Sequence, residues 1–211
     1  MSELHLEVLP RTQLQFWGKL QSRFLILKQL GYYLAGGTAL ALQLGHRQSV
    51  DFDFFSNQAA IASKTHQWLE QFPQLILRDR DQHTIHAEVQ GIKISFIGNY
   101  RYSLIEKPVK AESVLLASVL DVALMKLLAI THRATLRDYL DLAAILKARI
   151  PLDRILELSQ KKYGKEFNPM IPIKALLSFE DIDMEKPVLI DKSLGKEWKT
   201  ILSKAVFKTL R

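Results

Sequence analysis

Asp51 and Asp53 sit in the run Val50-Asp51-Phe52-Asp53-Phe54. Its alternation predicts a strand, which Phe55 extends. Residues two apart on a strand share a face, so both carboxylates project to one side. Paired hard oxygens suit Mg²⁺, which in turn binds the phosphate oxygens of a nucleoside triphosphate (NTP). A solvated edge is the plain alternative, but Val50 and three phenylalanines are unusual company for one. Upstream lies Gly36-Gly37-Thr38. Two glycines let the backbone approach a phosphate closely, and a helix opened by Thr38 points its free N–H groups at that phosphate.

A second group of polar residues lies further on: Lys126, Arg133, Arg137, Asp138 and Asp141-Leu142. Cations that reach triphosphate oxygens serve phosphoryl transfer. Pairing within the chain, such as Arg137 with Asp141 four residues on, is the competing reading. His46-Arg47 follows the first helix and either reaches a nucleotide or caps the helix C-terminus. His83 and His86, three apart in a strand region, are expected on opposite faces and do not make a metal pair. There is no nucleophile elbow and no P-loop.

These residues need elements to hold them. Apolar residues at helical spacing predict a helix from about Arg11 to Leu30, stopped by Gly31. Tyr32 to Ala35 reads as a short buried strand, and the helix from Thr38 runs to about Gly45. A helix is expected over roughly 58–71 and is closed by Pro73. Strands Thr84 to Gln90 and Ile92 to Ile97 join as a hairpin at Gln90-Gly91. Beyond Pro108 the pattern is helical throughout. Ser118-Val119-Leu120-Asp121 and Thr135-Leu136-Arg137-Asp138 resemble capping boxes that open separate helices. The fold class expected is α+β with a helical C-terminal half. The expected division is residues 1–110 as the core and 111–211 as a helical domain that completes the site.

The 211 residues, 48% of them hydrophobic, suffice for a substantial core. Without cysteine there are no disulfides and no thiolate metal sites. The first residues show no basic segment followed by an apolar one, so no signal peptide is expected, and no apolar run has the length of a membrane span. A cytoplasmic protein is expected. Residues 1–100 carry 9 Lys/Arg against 8 Asp/Glu, and residues 101–211 carry 20 against 14. That asymmetry suits an anionic partner such as RNA and equally a solvated helical surface.

Three segments resemble the nucleotidyltransferases of the AbiEii/AbiGii abortive-infection toxin type: YYLAGGTALALQLGHRQSVDFDFFS from Tyr32, HAEVQGIKISFIG from His86, and ASVLDVALMKLLAITHRATLRDYLDLAAIL from Ala117. The last is similar to the family pattern Lys-x6-Arg-x3-Arg-Asp-x2-Asp-Leu, and the resemblance covers roughly residues 12–150. It implies a polymerase-β-like nucleotidyltransferase core that depends on Mg²⁺ and an NTP. It also implies a tRNA 3′ end or a protein as acceptor, and a cognate antitoxin. By position, Asp51 and Asp53 would hold metal and Lys126 would bind triphosphate. Asp138 and Asp141 would complete the site. Arg47, Arg133 and Arg137 are the further nucleotide-binding candidates, beside Gly36, Gly37 and Thr38. Two departures stand out: Thr38 replaces a common Ser, and Ser95 stands where a third carboxylate is expected. The general base is therefore unassigned, with Glu88, Asp138 and Asp141 as candidates and Asp138 preferred. A small-molecule nucleotidyltransferase of the aminoglycoside-modifying sort and a nucleotide-binding module without turnover are the alternatives.

Overall fold

The computed structural model describes residues 4–59, 62–179 and 182–211. Helix α1 (Arg11–Gln29) follows the sequence pattern: Phe16, Trp17, Leu20, Phe24 and Leu27 form one buried stripe. It leads into β1 (Tyr33–Ala35), α2 (Gly36–Leu44) and β2 (Phe52–Phe55). α2 starts two residues before the expected Thr38, and Gly45, in the left-handed conformation, ends it. Asp51 immediately precedes β2, whereas Asp53 lies within it.

The helix expected over 58–71 is α3 (Ala62–Leu69); residues 60 and 61 lie outside the described residues, as do residues 1–3 of the N-terminal segment. Strands β3 (Leu75–Arg80), β4 (Thr84–Val89) and β5 (Ile92–Ile97) follow. The hairpin at Gln90-Gly91 forms as expected. β3 is an addition to the expected elements: it is an exposed edge with no alternation of apolar residues to announce it. Past Pro108, where the pattern predicts only helices, β6 (Val109–Ala111) and β7 (Val114–Leu116) form a further hairpin. Three-residue strands are too short to carry a periodic signal. Helices α4 (Val119–His132), α5 (Leu136–Lys147), α6 (Leu152–Tyr163), α7 (Met170–Ala175) and α8 (Leu194–Thr209) complete the chain.

Among the described residues the strands make one mixed sheet in the order β3-β4-β5-β2-β1-β7-β6. β2 runs antiparallel to β1 and parallel to β5. Phe52 and Phe54 turn to the face covered by α1, with ring centroids 5.1 Å (Phe16–Phe52) and 6.2 Å (Phe24–Phe54) apart. Asp53 therefore takes the other face. α2 packs on α4 and α5. Ser118 caps α4 by accepting the Asp121 N–H at 3.0 Å, as the capping pattern predicts. Asp121 is itself buried. It pairs with Lys162 at 2.8 Å and accepts the N–H groups of Ile105 and Glu106, which fixes α4 against α6. No helix among the described residues is long and apolar enough to cross a membrane.

Candidate functional site

β1 hands over to α2 at Gly36, whose φ of +66° is the region glycine enters without strain. A Cβ on Gly36 would lie 3.0 Å from Asp53 Oδ2, and one on Gly37 would run into Arg47 Nη2. Both glycines thus make room for the chain's own Asp53 and Arg47, where the sequence suggests room for a phosphate. Thr38 is buried; its hydroxyl bonds to Ser49 Oγ at 2.8 Å and donates to the Asp51 carbonyl. It holds the residue that leads into β2.

The polar residues of α4 and α5 form a buried network with the loop after α2. Lys126 Nζ, from α4, donates to Asp138 Oδ1 at 2.8 Å and Asp141 Oδ2 at 2.6 Å. Arg47 grips Asp141 with Nε at 2.6 Å and Nη2 at 2.9 Å, a bidentate fork. His46 Nε2 lies 2.8 Å from the same carboxylate. Asp138 also accepts from Arg133 Nε at 3.0 Å and from the Thr135 hydroxyl at 2.7 Å. Thr135 is the N-cap of α5, but its hydroxyl goes to the Asp138 carboxylate and not to a backbone N–H. Arg137 pairs with Glu185 at 3.1 Å and not with Asp141, the partner that the competing reading offers.

The electrostatics separate the acids into two kinds. Burial pushes the Asp141 carboxyl up, yet the charges of Arg47 and Lys126, with hydrogen bonds from Arg47 and His46, hold it well below the usual range. Burial also raises Asp138, and Lys126, Thr135 and Arg133 outweigh it, so its carboxyl is lowered. Asp53 goes the other way. Burial and the neighbouring Asp51 raise it, against a hydrogen bond from Ser95 and the more distant Lys126 and Arg133. Burial lowers Arg47 but Asp141 raises it further, so its guanidinium stays charged.

A cleft of about 430 Å³ opens between these elements. Of the residues singled out in the sequence, Gly37, Thr38, Arg47, Asp51, Asp53, Lys126, Arg133, Arg137 and Asp138 line it. Gly36 and Asp141 are not on its wall; Asp141 is fully buried behind Arg47 and Lys126. A further stretch of the wall, made by Glu185, Lys186, Pro187 and Val188, has no counterpart among the residues expected at the site. Backbone bridges Thr135–Asp183 and Arg47–Leu189 fasten that strap, with Gln48 N–H donating to the Val188 carbonyl at 2.8 Å. An extended segment without periodicity, far along the chain, offers no local signal.

Asp51 and Asp53 make no ion pair among the described residues, and no group of three or more His, Cys, Asp or Glu among those residues could hold a metal. Two carboxylates nonetheless fit Mg²⁺. The ion usually takes one or two protein carboxylates and completes its shell with water and substrate phosphates. A cation bound beside Asp53 would offset the burial and the Asp51 charge that raise its carboxyl.

The family model described as nucleotidyl transferase AbiEii toxin, type IV TA system, matches residues 26–211. An uncharacterised protein of Aquifex aeolicus (strain VF5) is 34% identical over 155 residues, 71% of this chain and 74% of its own length. The fold is similar to that of MenT4, a nucleotidyltransferase toxin from Mycobacterium tuberculosis H37Rv, with a TM-score of 0.60 at 16% identity, covering 92% of this chain and 82% of that one. It is also similar to the antibiotic-resistance factor ANT(2″)-Ia, with a TM-score of 0.55 at 13% identity, covering 71% of this chain and 90% of that one. At these identities the likeness shows the polymerase-β-like fold.

Proposed function

The chain belongs to the AbiEii family of nucleotidyl transferase toxins, and from that premise we propose that it transfers a nucleotide from a Mg²⁺-bound NTP to RNA, with the 3′ end of tRNA as acceptor. The observation that carries this reading is the couple Asp51 and Asp53, without an ion pair among the described residues, on a cleft wall that also bears Lys126, Arg133 and Arg137. When bound, Mg²⁺ would neutralise charge on the triphosphate and polarise its α-phosphate. Asp51 and Asp53 would hold it there. Arg133 and Arg137, both at the cleft, would take triphosphate oxygens. Lys126 would do so while anchored by Asp138 and Asp141, which form the site without touching substrate. Thr38 and Arg47 set the position of Asp51 and the shape of the α2 wall. Residues 1–110 would then act as the nucleotidyltransferase core and residues 111–211 as the helical part that completes the nucleotide site.

RNA is favoured over a protein or a small acceptor by the excess of basic residues in 101–211, since phosphate contacts need a spread of cations. The same reading implies a cognate antitoxin as partner and a cytoplasmic setting, where NTPs and tRNA meet. Calorimetry with each NTP should show binding that requires Mg²⁺ and is lost in Asp51→Ala. Incubation with α-labelled NTPs and total RNA should label tRNA. Equal affinity in the variant would move the site elsewhere. Label only on protein or on an aminoglycoside would replace the acceptor.

A further inference from the structure

The outward face of the sheet carries a polar row that starts at Asp53 on the cleft wall and runs on outside the cleft. On β4, Ile85, Ala87 and Val89 are buried, so Thr84, His86 and Glu88 point to the other face. On β5 the same alternation turns Lys93 and Ser95 outward. Register aligns Asp53 with Ser95, Ser95 with His86, and His86 with Asp79 of β3. Four strands therefore present Asp53, Ser95, His86 and Asp79 side by side. Ser95 Oγ is 3.2 Å from His86 Nδ1 and also bonds to the Asp53 carboxylate.

A serine hydroxyl has one proton to give. With that proton turned to the ionised Asp53 carboxylate, which can only accept, Ser95 accepts from His86. Nδ1 of His86 then carries the hydrogen, and in the neutral ring Nε2 keeps its lone pair. The ring is exposed. The other charged groups facing it are Asp79 from β3, Glu88 on its own strand, bound to Arg78 at 2.6 Å, and Lys93 from β5. Two strand spacings of about 4.8 Å separate His86 from Asp53, which places the ring beside the cleft on the β5–β4 side.

We infer that His86 is the general base of the reaction and that Ser95 orients it. The acceptor hydroxyl gives its proton to His86 Nε2 as its oxygen forms a bond to the α-phosphorus. The bond from that phosphorus to the leaving pyrophosphate breaks, and the electron pair leaves with pyrophosphate. Asp138, the base preferred on sequence position, has both oxygens engaged by Lys126, Arg133 and Thr135.

This inference rests on nucleotidyl transfer as proposed above, and the test separates the two. Single-turnover transfer from an α-labelled NTP with Mg²⁺ to total RNA is measured for the full chain and for His86→Ala and His86→Asn, with NTP affinity in parallel. Asn keeps an N–H for Ser95 but has no basic lone pair. Both variants should transfer about 100-fold more slowly or worse, with NTP affinity unchanged, because His86 lies outside the cleft. Wild-type rates in either variant overturn the inference alone. So does a slow His86→Ala beside an active His86→Asn, which would make the ring a spacer. A wild-type chain that labels nothing overturns the transfer reading and this one with it.

Discussion

Asp51 and Asp53, two apart at the start of β2, have no ion-pair partner among the described residues, whereas Asp138 and Asp141, three apart on α5, are held by Lys126, Arg47, Arg133 and His46. Both couples lie on or just behind the wall of one cleft, and the sequence alone offers no means of ranking them. Their surroundings rank them. The strand couple shares one face next to the glycines, where Asp53 is raised by burial and by Asp51. The helix couple is sunk among cations and lowered. An acid that lacks a cation is suited to receive one from outside. An acid already surrounded by them serves to fix those cations in place.

Removing one member of each couple should change stability in opposite directions. Asp141→Asn leaves Arg47 and Lys126 short of a fully buried counter-charge, and breaking such a pair costs about 3–5 kcal/mol. Asp53→Asn removes a charge that burial opposes, so it should leave the fold as stable or more so while abolishing Mg²⁺-dependent transfer. Urea denaturation of the two variants checks the sign, and equal losses would erase the distinction. Saturating Mg²⁺-NTP should in turn stabilise wild type, by about 2.7 kcal/mol at a hundred times Kd, and leave Asp53→Asn unmoved.

The pH dependence sharpens the same contrast. Asp138 and Asp141 have lowered folded values, so their stabilisation is present above the unfolded value of about 4 and is lost as pH falls through the folded values. Asp53 is raised, so its contribution is present below about 4 and is lost as pH rises through its folded value. Denaturation midpoints between pH 7 and 3 should therefore fall for wild type, and the advantage of Asp53→Asn should shrink on acidification. A constant advantage would mean that Asp53 is not raised.

The smallest effect is expected at Arg137, whose pairing with Glu185 is largely exposed. Arg137→Ala should change stability by less than about 1 kcal/mol while weakening NTP affinity. A large stability loss with unchanged affinity would reassign Arg137 from the cleft to the strap.

Local pattern alone makes much of this legible. Alternation in Val50 to Phe55 sets the core face of Phe52 and Phe54 against that of Asp53, because period two is a property of any strand. The stripe from Phe16 to Leu27 and the capping signals at Ser118 and Thr135 mark the starts of three helices within a residue or two, since periodicity and capping act over a few residues, whereas α4 runs on to His132, past the expected Lys126. The Gly36-Gly37 turn is visible as a turn, but not that Asp53 and Arg47 fill the space it leaves. Pairing across long stretches of chain is invisible. Nothing local shows that Asp141 is buried under Arg47, that the 183–189 strap closes the cleft, or that β4 and β5 pair so that His86 stands beside Ser95. His83 and His86 lie three apart in a region that reads as strand from the sequence; His83 precedes β4, and only His86 enters the row. Register and burial are settled by which distant surfaces fit, and a one-residue slip would have turned His86 to the other face.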